Sequence, residues 1–169
     1  MESERKDALF HDPFARRLAG ERGQAIVDAM PRGKELAWAM IVRTAVMDEL
    51  ILQCIRDGAT SILNLAAGLD TRAYRLDLPE SLHWYHVDFP PRVEYVKDKL
   101  TGEKPRCALE YVAADLREPE QRDSIFRKAA ENGPVLVITE GLLVYLPAEN
   151  VADLAKALHQ SAQARWWIS

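Results

Sequence analysis

The feature that most limits the fold of this 169-residue chain is a change of hydrophobic period near residue 58. From that point on, short runs rich in β-branched and aromatic residues alternate with stretches of helical pattern. Such alternation is typical of β-α-β units, in which helices cover both faces of a parallel sheet. We therefore predict a Rossmann-like, doubly wound α/β fold. The predicted strands are SILNLA, WYHVDF, LEYVAAD, PVLVITE and RWWIS.

The stretches between these runs predict helices, and a longer helical region precedes them. Two short amphipathic helices are expected around HDPFARRLAG, and a long helix from Glu35 to Asp57 ends at Gly58. We expect residues 1–57 to form a helical segment that packs on a core of residues 58–169, the two making one structural domain. The helices predicted within the core span residues 71–76, 91–100, 119–132 and 148–162.

The predicted sheet ends on its fifth strand, at the last residues of the chain. A strand at an open edge presents unpaired backbone groups that invite pairing with another chain. We therefore expect a doubly wound core that is truncated after this strand, or a partner that completes the sheet. Self-association through the open edge is one form of the second alternative.

Composition and charge exclude several classes of protein. The formal net charge of -4 argues against a nucleic-acid-binding protein, which carries clustered Lys and Arg. No run of about 20 apolar residues could span a membrane, and the charged N-terminus lacks the apolar core of a signal peptide. We expect a soluble cytoplasmic protein. Its two cysteines, Cys54 and Cys107, do not indicate a disulfide framework, and no metal site is predicted.

Candidate ligand-binding residues follow the predicted strands, because ligands bind outside the carboxyl ends of parallel strands. Ala67 and Gly68 follow the first strand, Asp88 ends the second, and Asp115 and Glu140 follow the third and fourth. Asp88 lies 20 residues beyond Gly68. That is the spacing at which an acidic side chain accepts hydrogen bonds from the ribose hydroxyls of a bound nucleoside.

The loop after the first strand reads NLAAGLDTRAYRL and contains a single glycine. Loops that bind a dinucleotide diphosphate use three glycines, so that the backbone approaches the phosphates closely. Here Leu69, Asp70 and Thr71 fill the later positions, and an aspartate beside a diphosphate would be repelled. The loop therefore favours an adenosine ligand without phosphates, and S-adenosylmethionine meets that description.

Arg43 lies on the predicted apolar stripe of the long helix, so we expect its guanidinium to point inward. A buried arginine needs an anionic partner. Two alternatives stay open: the carboxylate of a bound ligand, or an internal aspartate such as Asp70 or Asp48. The residues of the stripe are Leu36, Met40, Met47, Leu50 and Cys54.

Three side chains behind the glycine receive structural interpretations. Arg72 and Arg75 are interpreted as solvated helix positions or as partners of Asp70 and Asp77. The Thr71 hydroxyl is expected to stabilise the start of the following helix.

Several motifs together resemble the leucine carboxyl methyltransferase family of class I S-adenosylmethionine-dependent methyltransferases. They are the early DPFA, NLAAGLDTRAYRL, HVDFP followed by Val93 and Lys97, AADL and ITEGLLVYLP, and they cover nearly the whole chain. The resemblance implies that Arg43 holds the cofactor carboxylate and that Gly68 lines the methionine moiety. It also implies that Asp88 binds the ribose.

The resemblance further implies that Asp115 and Leu116 contact the adenine, and that Glu140 lies near the cofactor amino group or the reacting methyl. Tyr145 would face the substrate. Ala67 and Phe89 complete the expected cofactor-binding positions.

The implied reaction is O-methyl transfer to a carboxylate or hydroxyl of a small molecule or peptide. A carboxylate acceptor needs no general base, whereas a hydroxyl needs one, for which Glu140, Tyr145 and His11 are candidates. Two alternatives stay open. One is a nicotinamide-dependent oxidoreductase, and the other is a fragment that binds cofactor or itself without catalysis.

Overall fold

The computed structural model describes residues 2–29, 33–160 and 164–169. Within these residues, five strands form one parallel sheet in the order β3-β2-β1-β4-β5. The order reverses at β1, so the ends of β1 and β4 flank a topological switch point, where ligands bind in open α/β sheets. The strands are β1 (Ser61–Leu65), β2 (His83–Asp88), β3 (Ala108–Ala113), β4 (Val135–Ile138) and β5 (Ala164–Ile168).

The helices pack on both faces of the sheet, which confirms the predicted doubly wound fold. One hydrophobic core cluster lies between the sheet and helices α1 to α4, and a second lies between the sheet and helices α5 and α6. The helix predicted for residues 148–162 is present over residues 148–160, and residues 161–162 lie outside the described residues. The helices are α1 (Ala15–Ala29), α2 (Gly33–Arg56), α3 (Arg72–Arg75), α4 (Pro90–Lys99), α5 (Pro119–Ala130) and α6 (Ala148–Gln160).

The buried stripe of α2 differs from the predicted one. Met47, Ile51 and Cys54 are buried, whereas Met40 and Leu50 are each 45% exposed. The Leu36 side chain lies outside the described residues. Apolar residues occur on several sides of α2, so a three- and four-residue spacing fits more than one stripe, and packing on the sheet decides between them.

The N-terminal segment reaches the core through α1. The backbone N–H of Phe14 donates to Asp12 Oδ1 (2.9 Å) just before α1 begins. The two short helices predicted here are confirmed: α1 consists of two helical pieces separated by a kink at Gly20, whose backbone is non-helical and whose φ of 58° is accessible to glycine. The Tyr95 hydroxyl on α4 donates to the backbone carbonyl of Leu18 (2.7 Å) and so fastens α1 to the core.

Cys54 and Cys107 are free thiols, and both are buried. Burial raises the pKa of the Cys107 thiol to about 12. Among the described helices, none combines the length and the apolar composition that crossing a membrane requires.

We expect Ile51→Ala to lower the free energy of unfolding by about 2–5 kcal/mol, because Ile51 is fully buried in the core and its truncation leaves a cavity. Leu50→Ala, one position away on the exposed side of α2, is the matched control and should cost about 0.5 kcal/mol or less. Urea denaturation measures both. Equal losses would contradict the buried stripe described above.

Candidate functional site

The loop after β1 brings the ends of β1 and β2 together. Ala66 and Gly68 both have positive φ angles (52° and 58°), which turns the chain sharply. The Gly68 N–H donates to Asp88 Oδ2 and the Phe89 N–H donates to Asp88 Oδ1, each at 2.7 Å. An ionised carboxylate has about four acceptor sites. Asp88 therefore retains capacity to accept hydrogen bonds from a ligand hydroxyl.

The backbone N–H groups of this loop are largely used within the protein. The N–H of Asp70 donates to the Ala67 carbonyl (3.1 Å), and the N–H of Arg72 donates to Asp70 Oδ1 (2.7 Å). The N–H of Ala67 donates to the Val87 carbonyl (3.0 Å). A loop that binds a diphosphate needs such groups free to point at the phosphates. At these positions the loop therefore lacks the free N–H groups of a diphosphate-binding loop.

The predicted repulsion between Asp70 and a diphosphate would be weak, because Arg72 offsets the negative charge of Asp70. The Asp70 carboxylate accepts hydrogen bonds from Asn64 Nδ2 and Arg72 Nη1, each at 2.8 Å. Burial raises the pKa of Asp70, but the charge of Arg72 and its backbone N–H lower that pKa more, so it lies below its ordinary value. Asp70 is ionised and its charge is offset locally.

Like the side chain of its neighbour Arg75, which is 6% exposed, Arg72 is a buried cation of the site. It is 3% exposed, so its interpretation as a solvated position was wrong, whereas its pairing with Asp70 is confirmed. Its Nε lies 2.6 Å from Asp48 Oδ1, and its Nη1 lies 2.8 Å from both Asp70 Oδ2 and Glu140 Oε2. Burial lowers the pKa of Arg72, but these acids outweigh it and raise the pKa above its ordinary value.

Arg75 and Thr71, the near neighbours of Arg72, contact α2 and the N-terminal segment. Arg75 pairs with Asp48 (2.6 and 2.9 Å) and not with Asp77 as one interpretation proposed, and its guanidinium lies 5.1 Å from the Phe10 ring centroid. The Thr71 hydroxyl donates to Asp12 Oδ2 (2.8 Å) and makes no capping bond to α3.

Arg43 differs from its prediction in orientation, and its partner within the protein is not one of the two predicted aspartates. Its side chain is 45% exposed and lines a cleft, and neither Asp48 nor Asp70 is its partner. Instead, Arg43 Nη2 lies 2.8 Å from Glu140 Oε1. Glu140 therefore links two arginines, one buried and one at the surface of the cleft.

Two adjacent clefts lie over the carboxyl ends of the strands, and Leu69 contributes to both. The first has a volume of about 380 Å³ and is lined by Arg43, Gly68 and Glu140, together with the N-terminal segment at Phe10. The second has a volume of about 710 Å³ and lies between α1 and the start of α4.

The predicted site residues are distributed among neighbouring places at this edge of the sheet. Asp115 and Leu116 lie outside both clefts, although Asp115 binds Arg117, whose guanidinium lies near Phe89. Tyr145 is 82% exposed and also lies outside both clefts. The first cleft contains Arg43, Ala67, Gly68 and Glu140, and the second contains Asp88 and Phe89.

Sequence reasoning did not identify Arg72 and Asp48 as parts of this site. Asp48 interrupts the apolar pattern of α2 beside the buried Met47, which is the signal that could have found it. Within the described ranges, no group of three His, Cys, Asp or Glu side chains is arranged to hold a metal ion.

Comparison with known proteins identifies similar sequences. A family model described as leucine carboxyl methyltransferase matches residues 1–159. A relative from Streptomyces coelicolor, named "Putative S-adenosyl-L-methionine-dependent methyltransferase", is 36% identical over 175 residues, which cover 96% of this chain and 61% of the relative. A relative of the same description from Mycolicibacterium smegmatis is 36% identical and covers 85% of this chain and 53% of its own length. The chain thus spans between half and two thirds of the length of these relatives.

We expect Arg72→Met to lower the free energy of unfolding by about 3–5 kcal/mol, because the buried Asp70 loses its cation and Asp48 and Glu140 each lose one of two cationic partners. Arg56→Met is the matched control on α2, where an exposed arginine donates to the Gln53 amide oxygen, and it should cost about 0.5 kcal/mol or less. Chemical denaturation followed by circular dichroism measures both. A loss below 1 kcal/mol for Arg72→Met would contradict the importance of the buried cluster.

Proposed function

The chain belongs to the leucine carboxyl methyltransferase family, and from that premise we propose that it binds S-adenosylmethionine and transfers its methyl group to an oxygen acceptor. The observation that carries the proposal is the Arg43–Glu140 ion pair, which lies in the same cleft as the Gly68 turn. A cation and an anion side by side are complementary to the zwitterionic amino-acid end of this cofactor.

The charges of the first cleft support this assignment. Arg43 is half-exposed and has five guanidinium donors, so it is able to bind a carboxylate in addition to Glu140. Glu140 is oriented from behind by Arg72, and its other oxygen faces Arg43, where an ammonium group would be accommodated. The ammonium and carboxylate of the amino-acid end cancel in charge. Their binding would therefore leave the net charge around Arg43, Glu140 and Arg72 unchanged.

The second cleft supports binding of the adenosine half. Asp88 lies next to the Gly68 turn and retains acceptor capacity for ribose hydroxyls. Phe89 is 50% exposed beside it, which suits contact with the flat face of a base. Asp115 and Leu116 follow the neighbouring strand β3 and are proposed to contact the adenine edge.

The nicotinamide alternative is disfavoured by the same loop. A dinucleotide requires backbone N–H groups that point at its diphosphate, whereas those of Ala67, Gly68, Asp70 and Arg72 donate within the protein.

When bound, S-adenosylmethionine would supply an electrophilic methyl group on a positively charged sulfur. The residues of the chain hold and orient the reactants, which accounts for much of the acceleration in such displacements. A carboxylate acceptor is ionised near pH 7 and requires no base. Both oxygens of Glu140 are engaged by arginines, so we assign Glu140 to orientation, and we assign Tyr145 to contact with a small-molecule or peptide acceptor.

A second candidate is a protein that binds the cofactor or itself without turnover. One observation favours it: β5 lies at the edge of the sheet, and Trp167 on that strand is 40% exposed. Light scattering combined with a methyl-transfer assay separates the two candidates. A dimer that binds cofactor but is inert toward every acceptor would favour this second function.

The test of the proposed cofactor is a comparison of ligands. We expect S-adenosylhomocysteine to bind in isothermal titration calorimetry and NADH not to bind, since the N–H groups of Ala67, Gly68 and Asp70 already donate within the protein. Radiolabelled S-adenosylmethionine incubated with mixed carboxylic-acid and alcohol acceptors then tests turnover. Binding of NADH without binding of S-adenosylhomocysteine would overturn the proposal.

We expect Arg43→Ala to weaken S-adenosylhomocysteine binding by about 2–4 kcal/mol, because the ligand carboxylate then lacks its cation. Stability should change little, since the Arg43 side chain is 45% exposed. Arg56→Ala, on the same helix but away from both clefts, is the control and should bind as the wild type does. Unchanged affinity together with a large loss of thermal stability would assign Arg43 a structural role instead.

A further inference from the structure

The loop between β3 and α5 holds an arginine in a defined orientation. Arg117 Nε lies 2.9 Å from Asp115 Oδ1, and Arg117 Nη2 lies 2.6 Å from Asp115 Oδ2, so the pair is bidentate. The Arg117 backbone N–H also donates to Asp115 Oδ1 (3.0 Å). The Arg117 Cζ atom lies 5.8 Å from the centroid of the Phe89 ring. The planar guanidinium of Arg117, which carries N–H donors, therefore contacts both the Asp115 carboxylate and the Phe89 ring.

These two contacts are the ones that an adenine base would need at this place, and this step rests on the function proposed above. Adenine is planar and carries an exocyclic amino group, so it would donate to Asp115 and stack on Phe89. Stacked planes are separated by about 3.5–4.0 Å, so a base inserted between Phe89 and the guanidinium would require roughly 7 Å or more. The observed 5.8 Å is too short. The base and the guanidinium therefore compete for the same positions.

We propose that Arg117 occupies the adenine position before the cofactor binds, and that the base must displace its guanidinium from Asp115 and Phe89. Arg117 is thus a residue that tunes cofactor affinity by competition. Arg117 lies outside both clefts and lines, together with Leu116, a smaller pocket beside the start of α5.

The surroundings of Arg117 permit this displacement. Its side chain is 63% exposed and that of Asp115 is 24% exposed, so water remains available to both groups when they separate. Ion pairs of such exposure are weak. The hydrogen bonds from Arg117 lower the pKa of Asp115, so its carboxylate is ionised and ready to accept from a new donor. Asp115 would thus exchange the guanidinium of Arg117 for the amino group of adenine.

The proposal predicts that removing the guanidinium tightens cofactor binding. We expect the Kd of S-adenosylhomocysteine to fall about three- to tenfold in Arg117→Ala, which matches the strength of a weak exposed ion pair and its ring contact. Arg117→Lys should also tighten binding, because an ammonium group makes neither a bidentate bond nor a stacked plane. The Kd of S-ribosylhomocysteine, which lacks the base, should stay the same in both variants.

Arg127→Ala is the matched control, since Arg127 is an exposed arginine of the adjacent α5 and lines none of the clefts described for this protein. It should leave the Kd of both ligands unchanged. Thermal unfolding of each variant verifies that it folds. Equal or weaker binding of S-adenosylhomocysteine by Arg117→Ala, or equal tightening for both ligands, would overturn the inference while the wild type still binds. If the wild type and all variants bind neither ligand, the proposed cofactor site is wrong and the inference falls with it.

Discussion

The buried guanidinium of Arg72 is the interaction on which the architecture of the site depends. It binds Asp48 from α2, Asp70 from the loop after β1, and Glu140 from the end of β4. A buried cation without partners would cost several kcal/mol, so these acids must converge on it whenever the core is packed. Because each acid comes from a different part of the chain, the cluster sets the position of α2 relative to the switch point of the sheet.

The cluster also explains why the two halves of the proposed cofactor site differ. Glu140 is held from behind by buried Arg72 and presents its other oxygen to Arg43, so this end of the site is oriented before a ligand arrives. At the other end, the side chains of Arg117 and Phe89 are exposed and make a weak cation–π contact with each other. The amino-acid end is therefore rigid, and the proposed adenine end is adjustable.

Local patterns predicted the elements well because period and turn residues act over a few positions. The strands, the helices after each strand and the acids at the strand ends follow from such patterns. The orientation of Arg43 could not be predicted in this way, because apolar residues such as Met40 and Leu50 surround α2 and only the packed sheet selects Ile51 and Met47 as the buried side. The role of Arg72 likewise depends on Asp48 and Glu140, which are distant in sequence.

The sequence by itself determined the doubly wound parallel fold, the single glycine of the loop and the order of the acids that follow the strands. Its motifs also carried the family resemblance. Only the tertiary structure decided which arginines are buried, which acid each arginine binds, and that Arg117 lies near Phe89. The physical reason is that periodicity is a property of neighbouring residues, whereas charges pair across space, and the partner of a buried charge is chosen by the packing that brings distant segments together.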